Sequence, residues 1–326
     1  MKAIVYTDYG SPELLHLTEL SKPTPREDEV LVKIYAASIN SWDYDLIKGK
    51  PFLVRVFGGL LKPRHKTLGA DIAGIVESVG VNVESFQPGA EVFGDIAGCG
   101  FGGFAEYVCV PEKLLASKSP AMTFEQAAAI PQAGFLALQG LRFKGAIMKG
   151  QKVLINGAGG GVGTLALQYA KTEGAEVTCV DSSDKFDLLR ALGADHLIDY
   201  TKEDYTRNGQ QYDRILDVIA HRSVSDYNRA LKPGGTFAMI GGSMGGLLLE
   251  LMLLGSIIPI FNGKKIGLMG YKPNRKDLEY FNQLFEEGKV VPVIDRCYPL
   301  HEVPAAFQYF ASGQVKGKII ISVISN

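Results

Sequence analysis

Cysteine and histidine are scarce in this 326-residue chain, and neither is grouped. The four cysteines, Cys99, Cys109, Cys179 and Cys297, form no C-x-x-C pair, and the five histidines complete no multi-ligand metal motif with them. They read as core or surface thiols. Charge of one sign is lacking too: 34 Lys and Arg stand against 35 Asp and Glu, for a formal net charge of −1. A basic excess is the usual footprint of a polyanion binder, so no nucleic-acid partner is expected. Long unbroken apolar runs are also missing. The most apolar stretch, GLLLELMLLGSIIPIF at 246–261, is interrupted by Glu250, Gly255 and Pro259. It falls short of the ~20 residues that a spanning helix needs. It reads as a buried helix or one packed at a subunit interface, not as an integral membrane segment. The opening MKAIVYTDYG is a strand pattern with an early Asp8 rather than a charged region followed by an apolar signal segment. A reducing, cytoplasmic compartment is expected.

What is present falls into two rhythms. Over the first 120 residues, EVLVKIYAASIN (29–40), GADIAGIVESVG (69–80) and FAEYVCVP (104–111) are β-branched or alternating runs set apart by Pro and Gly turns, which is antiparallel β chemistry. Thr123 and Gln126 then form a capping box ahead of an alanine-rich helix. Beyond it short apolar strands alternate with amphipathic helices: QKVLIN with TLALQYAKTEG, AEVTCVD with DKFDLLRALGA, DHLIDY, YDRILDVIA with VSDYNRAL, GTFAMIGG and KKIGLMG. Such alternation predicts a parallel sheet covered on both faces. The remainder carries helix RKDLEYFNQLFEEG, strand VVPVID, helix VPAAFQYFASG and strand KGKIIISV. The expected organisation is an α/β protein in which 1–120 with 273–326 build a β-rich domain and 121–272 a doubly wound domain.

The run VLINGAGGGVGTLALQYAK at 153–171 places glycines between a buried strand and a helix start. That is where a dinucleotide pyrophosphate meets free N–H groups and the helix dipole. No frame satisfies strict G-x-G-x-x-G. Only Ala158-x-Gly160-x-x-Gly163 keeps the spacing, so Ala158, Gly159, Gly160, Gly161, Val162 and Gly163 are assigned to the cofactor turn. Asp181, 23 residues after Ala158 at the next strand's end, stands close to where the ribose-recognising acid belongs.

Six ordered motifs carry a resemblance over essentially the whole length. They are Gly69-Ala70-Asp71-Ile72-Ala73-Gly74-Ile75-Val76 with Val79-Gly80, Phe86-x-Pro88-Gly89-x-x-Val92, Gly103-Phe104-Ala105-Glu106-Tyr107, Ala128-Ala129-x-Pro131-x-x-Gly134, and the turn Gly157 to Gly163. The chain resembles the medium-chain dehydrogenase/reductase superfamily, in its zinc-free quinone oxidoreductase branch, chloroplast-envelope type included. The resemblance implies a GroES-like β-rich catalytic domain plus a Rossmann cofactor domain, use of NAD(P)H, and commonly a homodimer. Where zinc-dependent relatives hold their metal with Cys, His and Cys, this chain has Asn40, Ala70 and the PQAG segment at 131–134. No tetrahedral N/S site can be built from these.

Without a Lewis acid, the practical acceptor is one already electrophilic at a conjugated carbon, a small hydrophobic quinone or enone. By resemblance Asn40 faces the nicotinamide and the substrate carbonyl. Asp43 matches an acid that orients cofactor hydroxyls or water, and Tyr44 is expected to stack on a flat substrate or relay a proton. Each has a plainer alternative: a satisfied loop amide, a helix N-terminal charge, a packing ring. PFLVRVFGGLLKPRHKT (51–67) reads as a long loop walling the acceptor pocket. For cofactor choice the signals conflict. Asp181 favours NADH by repelling a 2′-phosphate, whereas Ser182, Lys185 and Tyr200 match positions used around that phosphate. The balance tips slightly to NADPH. A metal-free alcohol dehydrogenase and a cofactor-binding protein without turnover are the competing readings.

Overall fold

The computed structural model describes residues 1–242 and 263–324; the apolar run at 246–261 lies outside them. The chain divides into two compact units. The first is Met1–Gln132 with Pro273–Gly288 and Pro292–Asn326, the second Ala133–Lys272 with Lys289–Val291.

In the first unit β1 (Lys2–Val5) and β2 (His16–Glu19) form an antiparallel ribbon. A seven-stranded sheet is made by β3 (Glu29–Ser38), β4 (Asp71–Val79), β5 (Glu91–Asp95), β6 (Tyr107–Pro111), β7 (Leu115–Ser117), β14 (Ile294–Pro299) and β15 (Lys318–Ser322). Its order is β14-β15-β3-β4-β5-β7, with β6 also pairing β3. Val30, Val32 and Ile34 of β3, Ile72 and Val76 of β4, and Ile319 and Ile321 of β15 are buried in one core, and each contributes roughly 1.5–3 kcal/mol. Helices α1 (Ser41–Lys48), α2 (Phe52–Gly58) and α3 (Phe124–Ala128) belong to this unit, as do α8 (Arg275–Glu286) and α9 (Val303–Ala311).

Three local features differ from the sequence reading. The Thr123–Gln126 capping box does start a helix, with the Gln126 N–H donating to Thr123 Oγ1 at 3.2 Å, but α3 packs in the first unit. Its Phe124 ring stacks on Tyr35 of β3 at 4.6 Å, and residues 121–132 go with that sheet rather than with the doubly wound block. The loop at 51–67 contains α2, opened at Pro51 and closed at Gly59. The strand read at VVPVID begins only at Ile294. Pro292 lacks a ladder N–H, and Val291 spends its N–H and C=O on the Gln168 side chain, at 2.8 and 2.9 Å.

Among the described residues the second unit holds six strands, all parallel: β8 (Lys152–Asn156), β9 (Glu176–Asp181), β10 (His196–Asp199), β11 (Tyr212–Asp217), β12 (Leu231–Met239) and β13 (Lys265–Leu268). Val153, Leu154 and Ile155 of β8 are fully buried, as a strand covered on both faces requires. Helix α4 (Pro131–Leu141) precedes β8, and α5 (Gly161–Thr172), α6 (Phe186–Ala191) and α7 (Val224–Ala230) connect β8 to β9, β9 to β10 and β11 to β12. The order β10-β9-β8-β11-β12-β13 runs outward in both directions from β8. This is the dinucleotide-binding arrangement, with its crevice at the carboxyl ends of the strands where the order reverses. There Asn156 of β8 donates to the buried Asp217 of β11 at 2.8 Å, and Tyr205 Oη donates to its other oxygen at 3.0 Å. Burial pushes the Asp217 carboxyl up, against these hydrogen bonds.

Candidate active site

Strand register brings three distant residues of the first unit together. The β3–β4 pairing sets Ser38 opposite Asp71, and the β15–β3 pairing sets Ile320 opposite Ser38. The chain leaves β3 through Ile39, whose N–H donates to the Ile319 carbonyl at 3.1 Å. Asn40, just past the end of β3, therefore meets Asp71 at the start of β4 and Lys318 at the start of β15. Asn40 Nδ2 donates to Asp71 Oδ2 at 3.0 Å, and Lys318 Nζ donates to Asn40 Oδ1 at 2.6 Å and to Asp71 Oδ2 at 3.3 Å. Ser38 Oγ and the Gln132 N–H complete the carboxylate's shell at 2.9 Å each. All four side chains that carry the cluster are buried, Asp71 completely and Lys318 at 5% exposure. Burying such charges is tolerated because every oxygen and ammonium hydrogen has a partner. One polar hydrogen remains beyond these bonds, the second on Asn40 Nδ2.

Asp43 holds this amide's backbone in place. Its Oδ2 accepts from the Asn40 N–H and its Oδ1 from the Gly69 N–H, both at 3.0 Å. The first of these is the α1 half of a capping box. Burial pushes the carboxyl up to about 7, the two N–H donors and Lys318 pulling it down and Asp71 adding to the rise. Tyr44 is placed differently. Its ring stacks on Phe307 at 6.3 Å and tilts against Phe310 at 5.7 Å, and its hydroxyl accepts from Lys48 Nζ at 3.3 Å. It packs between α1 and α9 while Asn40 and Asp43 face the cluster.

The three stretches that would carry a zinc ligand set converge on Asp71: Asn40 through its amide, Ala70 as the preceding residue, and the PQAG segment through the Gln132 N–H. The lone pairs there, on Asp71 and on Asn40 Oδ1, are already taken by N–H, O–H and the Lys318 ammonium, and no imidazole or thiolate stands among them, so the donor set does not fit a zinc ion. Among the described residues no group of three His, Cys, Asp or Glu is disposed to hold one.

In the second unit the glycine run makes a tight turn from β8 into α5. The positive φ falls on Gly157, at +80°, and not on Ala158, so alanine costs nothing at the frame's first position. Gly157 and Ala158 both donate to the Val180 carbonyl of β9, at 3.0 and 3.3 Å. A Cβ on Gly163 would lie 2.3 Å from the Gly157 carbonyl and 2.4 Å from Ala158 Cα, and only glycine lets α5 seat this close to the turn. At Gly160 the fold makes no such demand. Its φ is −86°, and an added Cβ would meet only the Gly157 carbonyl, at 3.7 Å. That leaves space at the helix start beside the first-turn N–H groups of Gly161, Val162 and Gly163, which have no acceptor within the helix, an arrangement suited to an anion.

Asp181 ends β9 with both oxygens already engaged. Oδ2 accepts from the Gly159 N–H at 2.7 Å, and Oδ1 from the Ser182 N–H at 2.9 Å and from Lys185 Nζ at 3.2 Å. Lys185 lies directly over the turn, since a Cβ on Gly159 would come within 2.4 Å of its Cδ. The turn, Asp181, Ser182 and Lys185 thus form one group. Tyr200 follows β10 at the same strand ends, its side chain exposed.

Lys318 and Asp71 are the members that sequence reasoning missed. Asp71 was in view as part of a motif but not as the hub, because its partners come from register. Lys318 stands in GKIII, a lysine in an otherwise apolar strand, and that is its only sequence signal.

With the geometry described, comparison with known proteins is specific. The alcohol dehydrogenase GroES-like domain family matches residues 26–120, and the zinc-binding dehydrogenase family residues 192–321. A 2-methylene-furan-3-one reductase of Solanum lycopersicum is 36% identical over 99% of this chain and 79% of its own length. A chloroplastic NADPH-dependent alkenal/one oxidoreductase of Arabidopsis thaliana is 33% identical over 98% of this chain and 79% of its own. Among solved structures, the quinone oxidoreductase of Coxiella burnetii superposes with a TM-score of 0.88 at 29% identity, covering 99% of each chain. The chain belongs to the medium-chain dehydrogenase/reductase superfamily, in its quinone oxidoreductase-like branch.

Proposed function

We propose that this protein is a zinc-independent, NAD(P)H-dependent reductase that transfers hydride to the conjugated carbon of small hydrophobic enones or quinones. The observation that carries this reading is the Asn40–Asp71–Lys318 cluster, which presents an N–H donor where a metal-using relative would present lone pairs. Relatives named for alkenal/one and furanone reduction support the acceptor class.

The bound dinucleotide supplies the hydride; the chain's own groups do the rest. The first-turn amides of α5 would hold the pyrophosphate. Hydride delivered to the conjugated carbon would push charge onto the carbonyl oxygen, where the remaining Asn40 Nδ2 hydrogen would donate as the charge develops, and a proton taken from water at the α carbon would complete the saturated ketone. Asp71 and Asp43 orient the donor, from its amide and from its backbone. Lys185 lies over the turn, and since Asp181 is already held by two N–H groups, the lysine could trade that carboxylate for a 2′-phosphate. NADPH is therefore the preferred cofactor, with NADH also used.

The test is consumption of reduced nicotinamide by purified protein in the presence of a chelator, with a panel of enones and quinones. Turnover with NADPH, slower turnover with NADH, and no effect of chelator are expected. Cofactor binding without turnover on any acceptor would sink the enzyme reading. The same preparation on a sizing column reads the oligomeric state; we propose a homodimer joined along β13, which ends the sheet order of the second unit. The four unpaired thiols suit a reducing, cytoplasmic compartment.

A further inference from the structure

We propose that Lys318 is a positioning residue for the reaction: its ammonium fixes which way the Asn40 amide points, and so makes Asn40 a hydrogen-bond donor to substrate rather than an acceptor. This rests on the reading of Asn40 as the group that meets the carbonyl oxygen.

A side-chain amide has two orientations of nearly equal shape, and only its partners tell them apart. Here the partners are of opposite kinds. Lys318 Nζ can only donate, and its three hydrogens are spent on Ile39 O at 3.1 Å, Asn40 Oδ1 at 2.6 Å and Asp71 Oδ2 at 3.3 Å. The Asp71 carboxylate can only accept, and does so from Asn40 Nδ2 at 3.0 Å. Turning the amide over would set NH₂ against ammonium and carbonyl against carboxylate, two repulsions in a site shielded from water, where such contacts count most. The observed orientation leaves one Nδ2 hydrogen pointing away from both. An ammonium on the amide oxygen also draws charge from the nitrogen and sharpens that hydrogen as a donor. Packing alone would not call for an ion in this place: β15 continues as Ile319, Ile320 and Ile321, all buried, and a methionine would fill the same volume. The fold carries the cost of a buried lysine at a position that touches both Asn40 Oδ1 and Asp71.

The experiment is a kinetic double-mutant cycle on the purified enzyme with an enone and NADPH, using Lys318→Met, Asn40→Ala and the pair. Lys318→Met is expected to lower kcat by about 10- to 100-fold, no more than loss of the donor itself, while KM for NADPH stays the same. In the Asn40→Ala background the same change should alter kcat by less than about two-fold, because its target is gone. Lys318→Arg, which keeps a charged group that can only donate, should restore part of the rate, and it replaces Lys318→Met in the cycle if the latter does not fold. Effects of Lys318 and Asn40 that simply add, or a Lys318 variant with full kcat and only a lowered melting temperature, would overturn the proposal. So would failure of both variants to fold, which would assign the lysine to holding β15 against β3. An Asn40→Ala variant with full kcat would instead overturn the prior reading of Asn40, whatever Lys318 does.

Discussion

Replacing Asn40 with alanine is expected to lower kcat for an enone by about 10²–10³-fold, the usual cost of removing one donor from a developing oxyanion, with KM for NADPH little changed. Asn40 is not among the groups assigned to the phosphate turn, so the loss should fall on chemistry and leave cofactor affinity intact. The substitution also leaves Lys318 Nζ and Asp71 Oδ2 each short of one partner. Some loss of stability, on the order of 1–3 kcal/mol, should accompany it and be visible in thermal unfolding. Steady-state kinetics at a temperature well below that transition separates the two effects. A variant with unaltered kcat would mean that Asn40 is a satisfied loop amide.

Replacing Gly163 with valine is expected to remove cofactor binding. Its Cβ would stand 2.3 Å from the Gly157 carbonyl and 2.5 Å from that of Ala158, so α5 must retreat from the turn. If the shift breaks two charge-assisted bonds to phosphate worth about 1.5 kcal/mol each, the Kd for NADPH rises roughly 100-fold. The forced retreat also destabilises the fold by about 1–3 kcal/mol. Gly160→Ala is the informative companion. Among the described residues a Cβ there would come no closer than 3.7 Å to any neighbour, so this variant should keep its melting temperature and still lose affinity. Titration of NADPH by fluorescence measures both. Full affinity in Gly160→Ala would place the phosphate elsewhere.

The contrast between these glycines shows what a single sequence can and cannot reveal. The turn was legible because its requirements are local: strand, glycines and helix follow one another, and the alternating pattern announced the doubly wound sheet around them. The missing first glycine was an artefact of frame, since Gly157 takes the positive φ. Asp181 was legible as a strand-end acid, but its bonds to the Gly159 and Ser182 N–H groups were not, being set by the approach of β9 to the turn. Lys318 was out of reach because it meets Asn40 across 278 residues of chain, through a pairing of β15 with β3 that no local pattern specifies. The late start of β14 has the same cause, a side chain of α5 taking the N–H and C=O of Val291. The partners of Tyr44 were out of reach for the same reason, Phe307 and Phe310 belonging to a helix at the far end of the chain.

The central claim is metal-free hydride transfer to a conjugated carbon. Chelator-dialysed enzyme, NADPH deuterated at both positions of nicotinamide C4, and an enone test it in one reaction, with the product analysed by NMR and mass spectrometry. The account predicts a saturated ketone carrying one deuterium on the carbon β to the carbonyl. Deuterium on the carbonyl carbon of an allylic alcohol, or turnover that appears only when zinc is added back, would contradict it.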